Sequence, residues 1–323
     1  MAEASATSLP SPEEIVRYEK DPATRIATIT FDRPDELNAV TIGARLRYAQ
    51  LLHAANIDDD VKVLVIRGSG ENFGSGADLP EVAMLQEDSP EAALAAELGL
   101  DDADVSWPPP RSYRGSSALA MWYADGRAGC RTLAEFKKIS IVEVKGYCYG
   151  WHFYQAADAD LVISSDDALF GHPAFRYVGW GPRMWSWAMM MGLRKFGEMV
   201  FTGRPFTADE MYECNFVNSV VSGDELEDEV AKYASACSRS RPTDAVVMQK
   251  TFFQMMKQYQ GEYMGSLMTA VLESMGNRVR PDASELTLNR EVYEGGLGNA
   301  VRNNDDQFPP EWRLSKSGRK KPS

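Results

Sequence analysis

Two glycine-rich turns and three histidines carry most of the chemistry that the 323-residue sequence offers. The first turn, Glu71-Asn72-Phe73-Gly74-Ser75-Gly76-Ala77-Asp78-Leu79, follows a continuous apolar run, and the second, Lys145-Gly146-Tyr147-Cys148-Tyr149-Gly150, precedes an amphipathic one. Glycine lets the backbone bend sharply and come close to a ligand, so each turn can present a backbone N–H with no internal acceptor. Where such a donor sits at a helix N-terminus, the helix dipole favours negative charge beside it. Two converging N–H groups of this kind form an oxyanion hole for a polarised carbonyl, each donor worth about 3 kcal/mol. Turn chemistry alone fits a plain loop equally well. A nucleotide cradle fits worse: Gly68-Ser69-Gly70 follows a strand, but no third glycine completes the dinucleotide fingerprint and no Gly-Lys-Ser/Thr is present.

Of the three histidines, His152 and His172 lie beside turns, the second in Phe170-Gly171-His172-Pro173. Imidazole suits proton transfer near neutral pH, and it also serves simply to pack or hydrogen-bond at a turn. His53, in the first helical run, reads as structural or exposed. Tyr154 can donate a proton or orient water, but a phenol with a reference pKa of about 10 is a poor general base at neutral pH. Arg176, Tyr177 and Asp158 are further polar candidates, with Asp158 the most structural in character.

The elements that must position these residues are legible from periodicity. Residues 1 to 13, rich in Ala, Ser and Pro, read as a flexible leader, with the first ordered element near Ile15. Arg25 to Phe31 alternates as a half-buried strand, a helix spans Thr41 to Ile57, and Val61 to Ile66 is apolar enough to be buried on both faces of a sheet. Ile139 to Val144 and Asp160 to Ser164 read as strands flanking a helix over Trp151 to Ala157. A helical run follows from Pro182 to Phe196, and after a short strand over Val217 to Val221 the pattern turns helical. The domain reading is a core over 14–222 with an insertion at 86–138, a helical region at 223–302 and a polar tail at 303–323. The insertion combines Asp101, Asp102 and Asp104 with Trp107-Pro108-Pro109-Pro110 and Trp122-Tyr123; a segment this long inside a domain is a lid or disordered, and its aromatic residues favour the lid. With Trp180, Trp185 and Trp187 it suggests a large apolar pocket, although aromatic residues at helical spacing also build cores.

Composition narrows the function classes. A formal charge of −13 disfavours nucleic acid and anionic membranes, and the basic run Lys316, Arg319, Lys320 and Lys321 reads as part of a solvated tail. Four cysteines without paired spacing suggest neither a disulfide framework nor a zinc site, which fits a reducing cytoplasm. No apolar stretch is long enough to span a bilayer.

The order of motifs from about residue 15 to 221 resembles the crotonase (enoyl-CoA hydratase/isomerase) superfamily. The matches are Arg33-Pro34 with Asn38-Ala39, the run Asn72 to Leu79, Val142 to Gly150, Asp158 to Asp160, Phe170-Gly171-His172-Pro173, and Phe201-Thr202-Gly203 with Ala208. The resemblance implies an α/β fold, a crotonase-like ββα spiral core with a C-terminal helical region for trimerisation, hence a homotrimer or homohexamer. It implies backbone donors at Ala77 and Trp151, a substrate lined by Gly76, Asp78, Gly150, Ala174 and Tyr177, and catalytic side chains at His152, Tyr154 and His172. Coenzyme A would enter as part of the substrate in lipid metabolism, with no separate cofactor and no metal. The chain departs from the family's hydratases, which use two glutamates, at positions that here hold Tyr154 and Ala174; a backbone N–H survives the bulky Trp151. Three functions follow: hydration or isomerisation of an acyl-CoA thioester through an enolate, hydrolysis of a carbon–carbon bond in a β-diketone or cyclic ketone, and a non-catalytic scaffold.

Overall fold

The computed structural model describes residues 10–81, 106, 108–109, 112–125, 130–177, 179–275 and 297–319. Most of the leader and much of the expected insertion lie outside these residues. A helical turn at Pro12–Ile15, closed by a capping box between Ser11 and Glu14, leads into strand β1 (Val16–Asp21). Strand β2 (Ile26–Phe31) follows, then helix α1 (Ile42–Ile57), started by the Thr41 side chain accepting the Ala44 N–H at 3.1 Å. Strand β3 (Val63–Gly68) runs into the first glycine turn. Helix α2 (Tyr113–Ala124) precedes β4 (Ile139–Val144), β5 (Tyr147–Tyr149) and α3 (Trp151–Asp158). Then come β6 (Leu161–Ser165), β7 (Leu169–Gly171), α4 (Met184–Met191), α5 (Leu193–Thr202), β8 (Phe206–Thr207), α6 (Ala208–Glu213) and β9 (Ser219–Val221). Helices α7 (Leu226–Arg239), α8 (Thr243–Tyr259), α9 (Glu262–Ser274) and α10 (Leu297–Asp305) follow, and a last described helical turn spans Lys316–Arg319.

Six strands form one sheet in the order β1-β2-β3-β4-β6-β9, parallel except for the β1–β2 pair, and β5-β7-β8 form a second. Successive side chains of the central strands point to opposite faces, and both faces are covered. Leu64, Ile66, Val142 and Val144 face a core shared with α1 and α3, whereas Val63, Val65, Ile141 and Ile163 pack against Leu226, Val230 and Ala234 of α7. The helical region expected beyond residue 222 therefore begins by covering one face of the main sheet.

Two expectations are corrected. The helix read over Pro182 to Phe196 is two helices, because Gly192 (φ 77°, ψ 149°) takes a conformation outside the helical range. The polar tail is not solvated throughout. Buried Leu314 packs on Tyr149 and Leu169, its carbonyl accepts the Tyr149 hydroxyl at 2.7 Å, and the Arg176 guanidinium binds Asp305 at 2.7 Å and the Trp312 carbonyl at 2.6 Å. Lys316, of the basic run, ion-pairs with Asp167. Trp187 is fully buried and stacks on Phe153 with ring centroids 4.7 Å apart, so it builds core.

Helix α9 is bound to the core by charge and by small residues. Ala270 packs against Ala120 and Ala124 of α2, since methyl-sized side chains let helices approach closely. Glu262 accepts from Arg131 Nε at 2.7 Å and Ser266 from Arg183 Nη1 at 2.7 Å, while Arg183 also pairs with Asp158 of α3. Desolvation opposes ionisation of Glu262, but the two guanidinium groups prevail and hold its pKa down to about 2. Asp158 is thus structural, as its sequence context suggests.

Candidate oxyanion site

The two glycine turns are laced together. Phe73 N–H donates to Lys145 O (2.7 Å), Gly74 N–H to Tyr147 O (2.7 Å) and Tyr149 N–H to Gly74 O (2.9 Å), while Tyr147 N–H donates to the Asn72 side-chain oxygen (3.0 Å). Asn38, in the left-handed region at φ 56°, spans the base of the first turn with its amide on Ser69 O (2.9 Å) and Asn72 O (2.7 Å).

Farther along the first turn, Ser75 N–H donates to Leu37 O (2.9 Å), Gly76 N–H to the His152 ring nitrogen Nδ1 (3.2 Å) and Asp78 N–H to Val40 O (2.9 Å). Val40 N–H in turn donates to Gly76 O at 2.9 Å. This parallel bridge uses the groups on either side of Ala77, so the Ala77 N–H faces away from Val40. Of the N–H groups from residue 73 to 78, it alone has no acceptor among the described residues.

The second donor follows from helix geometry. Trp151 opens α3, so its N–H has no acceptor within the helix, and Gly150 (φ 55°) turns the chain into it. The two turns touch. A Cβ on Gly76 would stand 3.3 Å from Gly150 Cα and 3.4 Å from Trp151 N, and Gly76 itself sits at φ 109°. Both glycines are needed for this approach. Ala77 and Trp151 therefore present two N–H groups without an acceptor among the described residues, one of them at a helix N-terminus, across a narrow glycine contact.

Each candidate side chain is held by particular neighbours. His152 is fully buried, with Phe31, Phe73 and Trp151 set edge-on to its ring at 4.8, 5.0 and 5.4 Å. Accepting the Gly76 N–H at Nδ1 places its proton on Nε2, which is buried and unpartnered. Burial lowers its pKa to about 3, so it is neutral at physiological pH. His172 is buried against Tyr154, Phe175 and Trp187, with Nε2 3.2 Å from Trp180 O and Nδ1 unpartnered; burial lowers its pKa to about 4.

Tyr154 packs between His172 and Trp187, and desolvation, then the nearby Cys130, Glu273 and Tyr123, raise its phenol well above its ordinary range. Asp78 is occupied by the Arg33 guanidinium and by the Glu81 N–H at 2.8 Å. Ala174 and Tyr177 lie half-buried in the turn after His172, joined by a 3.0 Å backbone bond, and Arg176 holds the C-terminal segment. His53 is exposed on α1. Among the described residues no three His, Cys, Asp or Glu side chains could hold a metal ion, and no helix is long and apolar enough to cross a membrane.

Glu273 on α9 was not singled out from the sequence. Its Oε2 is enclosed by protein without a hydrogen-bond partner, and burial raises its pKa to about 7. The signal was its place beside the buried series Glu262, Ser266, Ala270, Ser274, which sets it at the margin of the inward stripe of the helix.

Comparisons with known proteins agree with this architecture. A sequence model of the enoyl-CoA hydratase/isomerase family matches residues 22–99 and 116–277. A mevalonyl-coenzyme A hydratase of Aspergillus fumigatus is 26% identical over 300 residues, covering 91% of this chain and 94% of the relative. A 4-chlorobenzoyl coenzyme A dehalogenase of an Arthrobacter species is 27% identical over 212 residues, covering 65% and 67%. In structure, an enoyl-CoA hydratase from Mycobacterium smegmatis superposes with a TM-score of 0.72 at 24% identity, over 94% of this chain and 97% of that one, which establishes the crotonase fold. With the family model matching most of its length, the chain belongs to the enoyl-CoA hydratase/isomerase family of the crotonase superfamily.

Proposed function

We propose that the protein binds an acyl-CoA thioester with its carbonyl oxygen between the N–H groups of Ala77 and Trp151 and stabilises the enolate that forms there. The observation that carries this reading is that the Ala77 N–H has no acceptor among the described residues, in a turn whose neighbouring N–H groups all have one, next to the N-terminus of α3. Negative charge grows on the thioester oxygen as the α-carbon becomes nucleophilic, and preorganised donors lower the energy of that state more than of the neutral carbonyl. Hydration of an enoyl thioester, or migration of its double bond, follows according to where water and the proton are delivered. Coenzyme A arrives with the substrate, and no separate cofactor is required for this chemistry.

His152 acts in this reading as a strut under the oxyanion turn, because its ring nitrogen fixes Gly76 and its pKa of about 3 makes it a weak base at neutral pH. Tyr154 of α3 and His172 of the later turn sit together and are the side chains offered to the acyl group. A self-association face is supported by Met248, Phe252, Phe253, Met255, Met264 and Met268, large apolar side chains exposed on α8 and α9. A second copy of the chain covering them would give the expected homotrimer or homohexamer.

The test is a panel of enoyl-CoA thioesters and cyclic β-diketones followed by absorbance and mass. Gain of water on a thioester without chain cleavage is the expected result. Ring or chain cleavage would move the protein to the carbon–carbon hydrolases, which would use the same two donors. Absence of both turnover and CoA binding would leave a scaffold.

A further inference from the structure

The last described stretch of the chain, from Asp305 to Lys316, is bonded to both segments on which the candidate site depends. Its first attachment is to β5. Tyr147 and Tyr149 stand two residues apart, so their side chains share one face of the strand, with ring centroids 5.0 Å apart. The Tyr149 hydroxyl donates to Leu314 O at 2.7 Å, and the Tyr147 hydroxyl accepts the Lys316 N–H at 2.7 Å. Leu314 packs on Tyr149 and on Leu169 of β7. The backbone of the same two tyrosines holds the first glycine turn, with Tyr147 O accepting the Gly74 N–H and the Tyr149 N–H donating to Gly74 O. Immediately after Tyr149 come Gly150 and the Trp151 donor.

The second attachment is to the turn after β7. Arg176 Nη1 donates to Asp305 Oδ1 at 2.7 Å, Nη2 to Trp312 O at 2.6 Å and Nε to Gly203 O at 2.9 Å. The Phe308 ring lies against the guanidinium, 3.6 Å from its carbon to the ring centroid. Gly203, at φ 64°, is required here, because a Cβ on it would stand 2.4 Å from Arg176 Cγ. The Asp305 carboxylate is equally committed, accepting the Leu314 N–H at 2.7 Å and the Ser315 N–H at 3.1 Å. The Arg176 and Asp305 side chains are only 1% and 8% exposed. Desolvating two charges offsets much of their attraction, so such a pair adds little stability over apolar packing; what it can supply is a single geometry.

The two attachments meet at the site. Gly150 N–H donates to Gly171 O at 3.1 Å, which makes the second glycine turn and the strand leading into His172 direct neighbours. We propose that Arg176 and Asp305 are positioning residues for the oxyanion site: the C-terminal segment clamps β5 and the His172–Tyr177 turn in one register, so that the Trp151 donor and the turn bearing His172 and Ala174 keep a fixed separation. This rests on the thioester reading above. Neither residue touches the acyl group. The segment acts on the donors through the β5 backbone and on the turn through the guanidinium.

The experiment compares the full-length wild type with Asp305→Ala, Asp305→Asn and Tyr149→Phe. Hydrogen exchange is followed in segments 147–151, 172–177, 305–319 and β4, and kcat and KM are measured with the enoyl-CoA thioester that the wild type turns over fastest. In Asp305→Ala, exchange should quicken in 147–151 and 172–177 as well as in 305–319 while β4 keeps its protection. Its kcat should fall roughly 10- to 100-fold with KM nearly unchanged, the mark of misplaced groups in a folded site. Asp305→Asn keeps a side-chain oxygen for Arg176 and Leu314 and should recover part of the rate. Tyr149→Phe loses a single hydroxyl, so it tests the clamp even if Asp305→Ala does not fold; it should quicken exchange in 147–151 and lower kcat by a smaller factor. Quickened exchange confined to 305–319, with kcat unchanged, overturns the proposal, since the segment would then lie on the site without holding it. Equal quickening in β4 overturns it as well, because the pair would be an ordinary stabiliser. If the wild type turns over no thioester, the thioester reading fails, and exchange in 147–151 and 172–177 alone decides whether the segment holds those two turns.

Discussion

His152 Nδ1 lies 3.2 Å from Gly76 N, and this one hydrogen bond joins the second residue of α3 to the glycine turn that carries Ala77. It fixes the imidazole tautomer and aligns the N–H that follows it in the chain. The ring is held so closely that a Cβ on Gly74 would run into it.

Replacing His152 by Phe keeps a ring of similar breadth and leaves the Gly76 N–H unpaired. An unmade buried hydrogen bond costs about 1–3 kcal/mol, and loss of the unpartnered Nε2–H offsets part of that. Denaturant midpoints should show a net loss near the lower end. The rate on the best thioester should fall roughly 10- to 100-fold through misplacement of Ala77. The pH dependence of kcat should be unchanged. A profile that lost a protonation step in His152→Phe would instead make this imidazole a base.

Trp151→Pro removes the backbone N–H at the first helical position, where proline is well tolerated, whereas Trp151→Ala keeps it. The Pro variant should fall about 100-fold or more below the Ala variant in kcat, the scale of one oxyanion donor. Comparing the two cancels the loss of the indole. Equal rates would remove Trp151 from the donor pair.

Acid should destabilise the fold earlier than its carboxylates require. His152 and His172 have folded pKa values of about 3 and 4, below the unfolded value of about 6.5, so between pH 6.5 and 4 the unfolded chain binds more protons and stability falls with pH. Each imidazole contributes a slope of up to about 1.4 kcal/mol per pH unit in that window. His172→Gln should flatten the dependence by about one proton, read from urea midpoints at closely spaced pH. An unchanged slope would mean the ring is not buried neutral.

Glu273 works with the opposite sign. Its folded pKa of about 7 lies above the unfolded value of about 4.5, so the native state binds the extra proton and stability is lost as pH rises from 4.5 through 7. Glu273→Gln should therefore raise the unfolding midpoint at pH 8, by roughly 3 kcal/mol at most, and leave it nearly unchanged at pH 5. Calorimetry at the two pH values checks this. Equal effects at both would mean the carboxyl is solvated.

The glycine framework of the candidate site was legible because close backbone approach is specified by glycine, and glycine is visible in a sequence. Gly76 and Gly150 mark where two chains nearly touch, and Ala77 and Trp151 follow each by one position. Strands β2, β3, β4 and β6 of the main sheet were equally plain, with Ile139–Val144 reproduced residue for residue, since all six of its side chains are buried, whereas β5 and β7 of the second sheet read as turns. The side-chain chemistry was harder. Nothing in the spacing of His152 reveals that Phe31 and Phe73 close over it, because those contacts come from distant strands. Glu273 lies at the margin of its helix's inward stripe, and only the packing of α9 on α2 and on the segment before α4 shows that its Oε2 is enclosed. The C-terminal segment read as solvated because its anchors are single residues, Leu314 and Asp305, in a polar run.

The grip of Arg176 on Asp305 and Trp312 has a bearing on biosynthesis. Chains fold from the N-terminus as they leave the ribosome. Until residues 305 and 312 emerge, the guanidinium lacks two of its partners, and the turn carrying His172 and Ala174 lacks the packing that seats it. Seating of that turn is therefore deferred until the segment from 305 to 312 has been made, and a nascent chain arrested before it should hold its sheet yet lack this grip.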